Sequence, residues 1–334
     1  MGGGASASMS GGMRDTPRTA HGHSAPDACS VGFDQAGASA YGTAARAGFF
    51  VALEQAGPWG REAATQSHLP PGLGRELADA CASRGGRLTL IRRPGPHPDD
   101  HHDAGHTAYL AHAGERPWLL EVALARPEDL LAADLDALAA GNRDGVARSV
   151  AGARDAEPVL LVCTNGRRDV CCAVRGRPVA LEAATSRPGR VWEASHTGGH
   201  RFAPTVVLLP HGATLARLDA PLAVAILDEA IHDRLPLAVL GPQHDRGRSA
   251  LAPAAQAAES HVRAVLHEPS LTDLLTTPVG AVGVDGEVPR FAVQHRDGRR
   301  WEVQVTPSEV ATLPESCGKA AVPVLAWEPG LLDP

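Results

Sequence analysis

The chain has 334 residues, 43% of them hydrophobic but only 4% aromatic, and a formal charge of -7, the balance of a soluble globular protein with room for two to three cores of ordinary domain size. With no basic run and no basic stripe interleaved with aromatics, the sequence offers no electrostatic basis for binding nucleic acid. No window approaches the roughly 18 to 20 uninterrupted apolar residues that a membrane helix requires.

In chain order, the Gly/Ser/Ala-rich stretch from Met1 to about Pro26 lacks the apolar core of a secretion signal and reads as a tail, with residues 1–44 expected to be largely disordered and the protein expected in the cytoplasm. Periodicity and punctuation then predict a strand at Phe49 to Gln55, a helix at Leu73 to Arg84, strands at Arg87 to Arg93, His106 to Ala113 and Trp118 to Ala123, and a helix from Pro127 to Ala140. A polar link, Gly141 to Glu157, precedes the same order again. It comprises strand Pro158 to Cys163, helix Cys172 to Ala184, strands Arg190 to Ala194, Thr205 to Leu209 and Thr214 to Leu218, and helix Pro221 to Arg234.

This β-α-β-β-β-α order is that of a thioredoxin-like unit, so the expected class is α/β with mixed sheets. The two units fall at residues 45–142 and 157–236, followed by a small α+β region at 237–334. In that last region the pattern gives a helix at Ala252 to His267, a short helical stretch around Leu271 to Leu275, and strands near Val279 to Val284, Phe291 to His295, Trp301 to Val305 and Val322 to Trp327. A turn at Asp297-Gly298 marks a hairpin.

The densest chemical signal lies in the second unit: Cys163-Thr-Asn-Gly-Arg-Arg-Asp-Val-Cys171-Cys172, then Ser195-His196-Thr-Gly-Gly-His200. Both motifs leave the C-terminal ends of expected parallel strands, where open α/β sheets assemble their sites. Cys172 falls at the start of a helix, where the dipole stabilises a thiolate, and the glycine pair lets His196 and His200 reach one locus. Cys163, Cys172, His196 and His200 therefore form a ligand set for either an iron–sulfur cluster or zinc. The eight-residue spacer fits the short Cys pairs of structural zinc poorly, which favours iron–sulfur. Asp169 is expected to cap the following helix or orient a histidine, Arg167 and Arg168 to neighbour the site or dock a partner, and Cys171 to lie beside it.

Elsewhere, the first unit offers Glu54, Gln55 and Trp59 in the corresponding loop, the signature of a structural or partner-binding copy. His97, His101, His102 and His106, interleaved with Asp99, Asp100 and Asp103, read as a polar loop between strands. Cys29 reads as a tail thiol, Cys81 as a buried helix thiol, Cys317 as a lone packing cysteine, and Trp59 and Trp192 as core residues. No Gly-x-Gly-x-x-Gly or P-loop pattern sits in a strand-to-helix context.

The C-x8-C stretch with Arg168-Asp169 inside it, Trp192-Glu193, and Ser195-His196-x-Gly-Gly-His200-Arg201-Phe202-Ala203-Pro204 resemble the sucrase/ferredoxin-like family, thioredoxin-like ferredoxins related to the fungal actin-patches-distal protein. Glu54-Gln-x-Gly-Pro-Trp-Gly60, Ile91-Arg-Arg-Pro94 and Ala254-Ala-Gln-Ala-Ala-Glu259 extend the likeness over most of the chain. The resemblance implies a [2Fe–2S] cluster on Cys163, Cys172, His196 and His200 without the Rieske fold, and an electron-transfer or redox-sensing role with an unidentified redox partner protein. Thr164-Asn165 and Ala194 depart from the family's commoner residues without touching these four. No paired-carboxylate motif supports sucrase chemistry. Imidazole in place of thiolate would raise the potential and, through the ring proton, make it fall as pH rises. A metal-free thiol–disulfide oxidoreductase using Cys163 with Cys171 or Cys172, and a zinc-stabilised binding module, are the competing readings.

Overall fold

A computed structural model describes residues 1, 28–95, 105–280 and 288–332. Helix α1 (Cys29–Gln35) comes first. Strand β1 (Phe49–Glu54), helix α2 (Leu73–Ala82), and strands β2 (Arg87–Arg92), β3 (His106–His112) and β4 (Trp118–Leu124) follow. Next come a 3-10 turn at Pro127–Ala132, helices α3 (Leu135–Ala139) and α4 (Arg143–Ser149), and the short strand β5 (Arg154–Asp155). The second repeat runs β6 (Val159–Cys163), α5 (Val170–Ser186), β7 (Val191–Ala194), β8 (Thr205–Leu209), β9 (Ala213–Ala216), α6 (Ala220–Ala230) and β10 (Asp245–Arg248). Helix α7 (Pro253–Leu266) leads to β11 (Leu274–Pro278), β12 (Arg290–His295), β13 (Arg300–Pro314) and β14 (Ala321–Leu331).

Within each repeat the strands take the order of a thioredoxin-like unit: β2-β1-β3-β4 in the first and β7-β6-β8-β9 in the second. The pairs β1–β2 and β6–β7 are parallel and the others antiparallel. Strands β6 and β8 are buried at every position, which is why they read as unbroken apolar runs. Helix α2 covers the first repeat through Leu73, Leu77 and Cys81, and α5 and α6 cover the second through Val179, Ala183 and Ile226.

Rather than standing apart, the repeats meet edge to edge. Antiparallel pairing of Ile91 with Ala194 and Arg92 with Glu193 joins β2 to β7 and produces one ten-stranded mixed sheet. Burial at that seam is made tolerable by pairing: Arg92 Nη2 lies 2.7 Å from Glu193 Oε2, which also accepts from Thr164 Oγ1 at 2.8 Å. A second, antiparallel sheet of order β11-β12-β13-β14 packs against α7.

Several expectations are corrected. Residues 28–44, assigned to the tail, are folded: Phe33 meets Phe202 edge-on at 5.5 Å, and Asp34 pairs with Arg175 and Arg217 at 2.8 and 2.6 Å. The misreading has a physical cause, since the buried residues here, Phe33 and Tyr41 among small ones such as Cys29, Ala38, Ala40 and Ala44, form no hydropathy period. The helix expected over 127–140 is broken at Asp134, whose carboxylate accepts the Ala137 N–H at 2.8 Å and starts a new helix. The polar link holds α4, capped by Asn142 through the Gly145 N–H, and β5. The helical stretch around Leu271 to Leu275 gives way to strand β11, and the strand expected near Val279 to Val284 falls largely on residues 281–287, outside the described residues. The final hairpin is much longer than the two short runs that announced it.

The C-terminal region is tied to the large sheet by a buried ionic group. Glu259 of α7 receives Arg248 of β10 through paired contacts of 2.7 and 2.8 Å, Arg263 at 3.2 Å and the Thr276 hydroxyl at 3.0 Å. Glu259→Ala strands both guanidiniums away from water and is expected to cost about 3–5 kcal/mol in urea unfolding, whereas a loss below about 1 kcal/mol would show that the anchorage lies elsewhere.

Candidate functional site

The site forms where β6 and β7 end. Cys163 closes β6 and Cys172 stands in the first turn of α5, both essentially inaccessible. Close approach of that helix to that strand requires Gly176, because any Cβ there would press into the Cys163 carbonyl oxygen. His196 and His200 come from the loop after β7, their rings 5.7 Å apart. Gly198 and Gly199 make this turn with φ of 91° and 76°, a region that side-chain-bearing residues rarely adopt.

Two arginines from outside the Cys/His motifs hold the histidine loop. Arg87 of β2 donates to the His196 carbonyl at 3.2 Å and the Thr197 carbonyl at 3.5 Å. Arg246 of β10, fully buried, donates to the Gly198 carbonyl at 3.0 Å and to the Thr43 carbonyl. The Ser195 hydroxyl accepts from the Leu90 N–H at 3.0 Å, extending the strand seam to the start of the loop. Neither arginine belongs to the Cys/His motifs, so spacing within those motifs gave no sign of them.

The four groups influence one another. The Cys163 thiol is held well below its ordinary pKa by a hydrogen bond from Cys172, with burial opposing and the His196 imidazole and Thr197 N–H assisting. Cys172 moves well above, chiefly because of the same bond and then burial. Burial lowers the His200 pKa, and Asp169, whose Oδ2 lies 3.7 Å from His200 Nε2, opposes that shift. No hydrogen-bond partner reaches His196 Nδ1 or either ring nitrogen of His200, although all three are buried. Burial pushes the Arg246 guanidinium down to about 9, with Arg201 next in effect and the Cys163 and Cys172 sulfurs opposing.

The remaining motif residues separate. Asp169 caps α5, accepting the Cys171 N–H at 2.9 Å. Arg168 pairs with Glu62 of the first repeat, while Arg167 is exposed and its N–H donates to Asn165 Oδ1 at 3.2 Å. Cys171 does not join Cys163 and its neighbours. Its sulfur lies 3.6 Å from Cys29 and 3.2 Å from Cys317, so neither of those is the isolated thiol that the sequence suggested. Within this trio Cys171 carries the lowered pKa, through hydrogen bonds from Cys29 first and Cys317 second, and Cys317 is pushed up to about 11, chiefly by its bond to Cys171.

In the first repeat, Glu54 accepts from the Thr107 N–H at 3.0 Å and Trp59 Nε1 donates to the Gln55 carbonyl at 3.1 Å, both structural contacts. Trp59, Trp192 and Cys81 are core residues. His106 Nδ1 pairs with the Glu54 carbonyl at 2.9 Å; His97, His101, His102, Asp99, Asp100 and Asp103 lie outside the described residues. Among the described residues no helix is long and apolar enough to cross a membrane.

Fold and site together define a two-repeat α/β protein with paired thiols and imidazoles at the ends of two central strands of a mixed sheet. The model of the sucrase/ferredoxin-like family matches residues 41–243, more than half of the chain and all four of these side chains, and the chain belongs to that family. No curated protein and no solved structure matches it.

The histidine loop provides a direct test of this geometry. At Gly199 a Cβ would collide with the Arg246 guanidinium as well as strain the backbone. Gly199→Ala is expected to lose about 1–3 kcal/mol of stability in thermal or urea unfolding, and an unchanged midpoint would mean that the turn is not held as described.

Proposed function

We propose that Cys163, Cys172, His196 and His200 hold a [2Fe–2S] cluster and that the protein carries or senses single electrons for a partner redox protein. The observation that carries this reading is the donor set itself: two buried thiols beside two imidazoles, three of whose buried ring nitrogens, His196 Nδ1 and both of His200, make no hydrogen bond. Uncompensated buried polar atoms are costly, and a metal centre would satisfy them. Among the described residues no three of these four bring their ligand atoms within 4.8 Å of one another.

Bound here, the cluster would supply a one-electron couple. The chain's own residues do the rest. The sulfurs are sealed from solvent, which disfavours thiol–disulfide exchange with a second protein. His200 keeps 17% of its side-chain surface exposed, which makes the histidine side the natural face for an electron partner. Arg87 and Arg246 place positive charge beside the sulfurs and favour the more negative, reduced state. A proton retained on a histidine ring would couple to the electron and lower the potential as pH rises.

Purified with iron under anaerobic conditions, the full chain is expected to be brown, with about two irons and two inorganic sulfides per chain. Cys172→Ser and His200→Ala should each lose the visible bands, while Cys171→Ser keeps them. A colourless protein without sulfide sinks the reading, and loss of the bands in Cys171→Ser but not in Cys172→Ser sinks the ligand assignment alone.

A further inference from the structure

Three cysteines that come from distant parts of the sequence meet at the N-terminus of α5, next to Asp169. Cys29 of α1, Cys171 of α5 and Cys317 in the turn between β13 and β14 have sulfurs 3.2 to 3.6 Å apart. With a carboxylate oxygen of Asp169 they place all their ligand atoms within 4.8 Å of one another. We propose that this group is a second metal centre, binding one zinc ion through three thiolates and, in the fourth position, Asp169 or water.

The geometry suits a single ion. Tetrahedral zinc with Zn–S bonds of about 2.3 Å requires sulfurs roughly 3.8 Å apart, so the trio needs to open by only a few tenths of an ångström. Three soft sulfurs and one carboxylate oxygen form a donor set that favours zinc over magnesium or calcium. Asp169 holds the trio in place: its Oδ1 accepts the Cys171 N–H at 2.9 Å, and its Oδ2 accepts the Cys317 N–H at 3.1 Å and the Ser316 hydroxyl at 2.8 Å. Cys29 Sγ lies 4.0 Å from Oδ1. Cys29, Cys171 and Asp169 are buried, whereas Cys317 is only half-buried and gives an ion a way in.

The site also gives the long final hairpin a purpose. Strands β13 and β14 run on until their tip reaches the N-terminus of α5, where Ser316 and Cys317 bond Asp169, Glu315 pairs with Arg201 at 3.5 Å, and Leu313 packs on the Phe33 cluster. Zinc would clasp three segments: the first helix, the helix that carries Cys172, and this tip. Two of the three cysteines, Cys29 and Cys317, lie outside the residues that the family model matches, so flanking segments build the centre.

The test is metal content and coordination of the full chain, purified reduced from medium supplemented with zinc alone. About one zinc per chain is expected, and absorption at the zinc edge should report three sulfurs and one lighter donor. Cys29→Ser combined with Cys317→Ser should reduce bound zinc at least about tenfold, with Cys81→Ser as the control that retains it. If the double variant fails to fold, the wild type still decides by its edge spectrum. Less than about 0.1 zinc per chain, or a shell of two sulfurs and two nitrogens that places the ion on Cys163, Cys172 and the histidines, overturns the proposal.

Discussion

The buried carboxylate of Asp169 is the point on which both groups of sulfur depend. It caps the longest helix of the second repeat, and so sets where Cys171 and Cys172 begin that helix. Adjacent positions on a helix point about 100° apart, so a single cap sends one thiol toward β6 and its neighbour toward α1. Through Oδ2 the same carboxylate takes the Cys317 N–H and the Ser316 hydroxyl and faces His200 Nε2 at 3.7 Å. A neutral amide in its place could not accept at every one of these positions, because half of its polar atoms donate.

The fusion of the two repeats accounts for what each contributes. The first repeat has the strand order of the second but none of its paired thiols and imidazoles, and its loop after β1 is filled with Trp59, stacked beneath Arg92 at 4.3 Å. It is nonetheless part of the site. Joined through β2, it delivers Arg87 to the histidine loop and Arg92 to Glu193, while Glu62 anchors Arg168 of the cysteine loop. A copy without ligands thus acts as the wall against which the ligand-bearing copy is braced.

Much of this was legible in the sequence where the signal is local. Unbroken apolar runs marked β6 and β8, the Asp297-Gly298 turn marked a hairpin, and the order of strands and helices marked two similar units. The motif around Cys163 and His196 located the site, since strand ends and glycine turns have short-range signatures. What was hidden depends on separation. Cys29 and Cys317 lie 142 and 146 residues from Cys171, and no local pattern links them. Arg246 was equally silent, a residue of a four-residue strand whose partners are the Gly198 and Thr43 carbonyls and the Thr43 hydroxyl. The folded stretch before β1 was missed because its buried residues, small or widely spaced, form no hydropathy period.

Charge explains why these distant arginines matter. Arg87 and Arg246 are both buried enough for desolvation to lower their pKa, and no carboxylate pairs with either guanidinium in the contacts described above. Carbonyl oxygens satisfy their hydrogens but not their charge. Sulfur opposes that shift: Cys163 raises the pKa of both arginines, and Cys172 adds to the effect on Arg246. Buried cations whose counter-charge is a thiolate make the folded protein and the deprotonated sulfur interdependent, because each lowers the cost of burying the other. That mutual dependence favours a centre that keeps sulfur anionic, which a metal does and a protonated thiol pair does not.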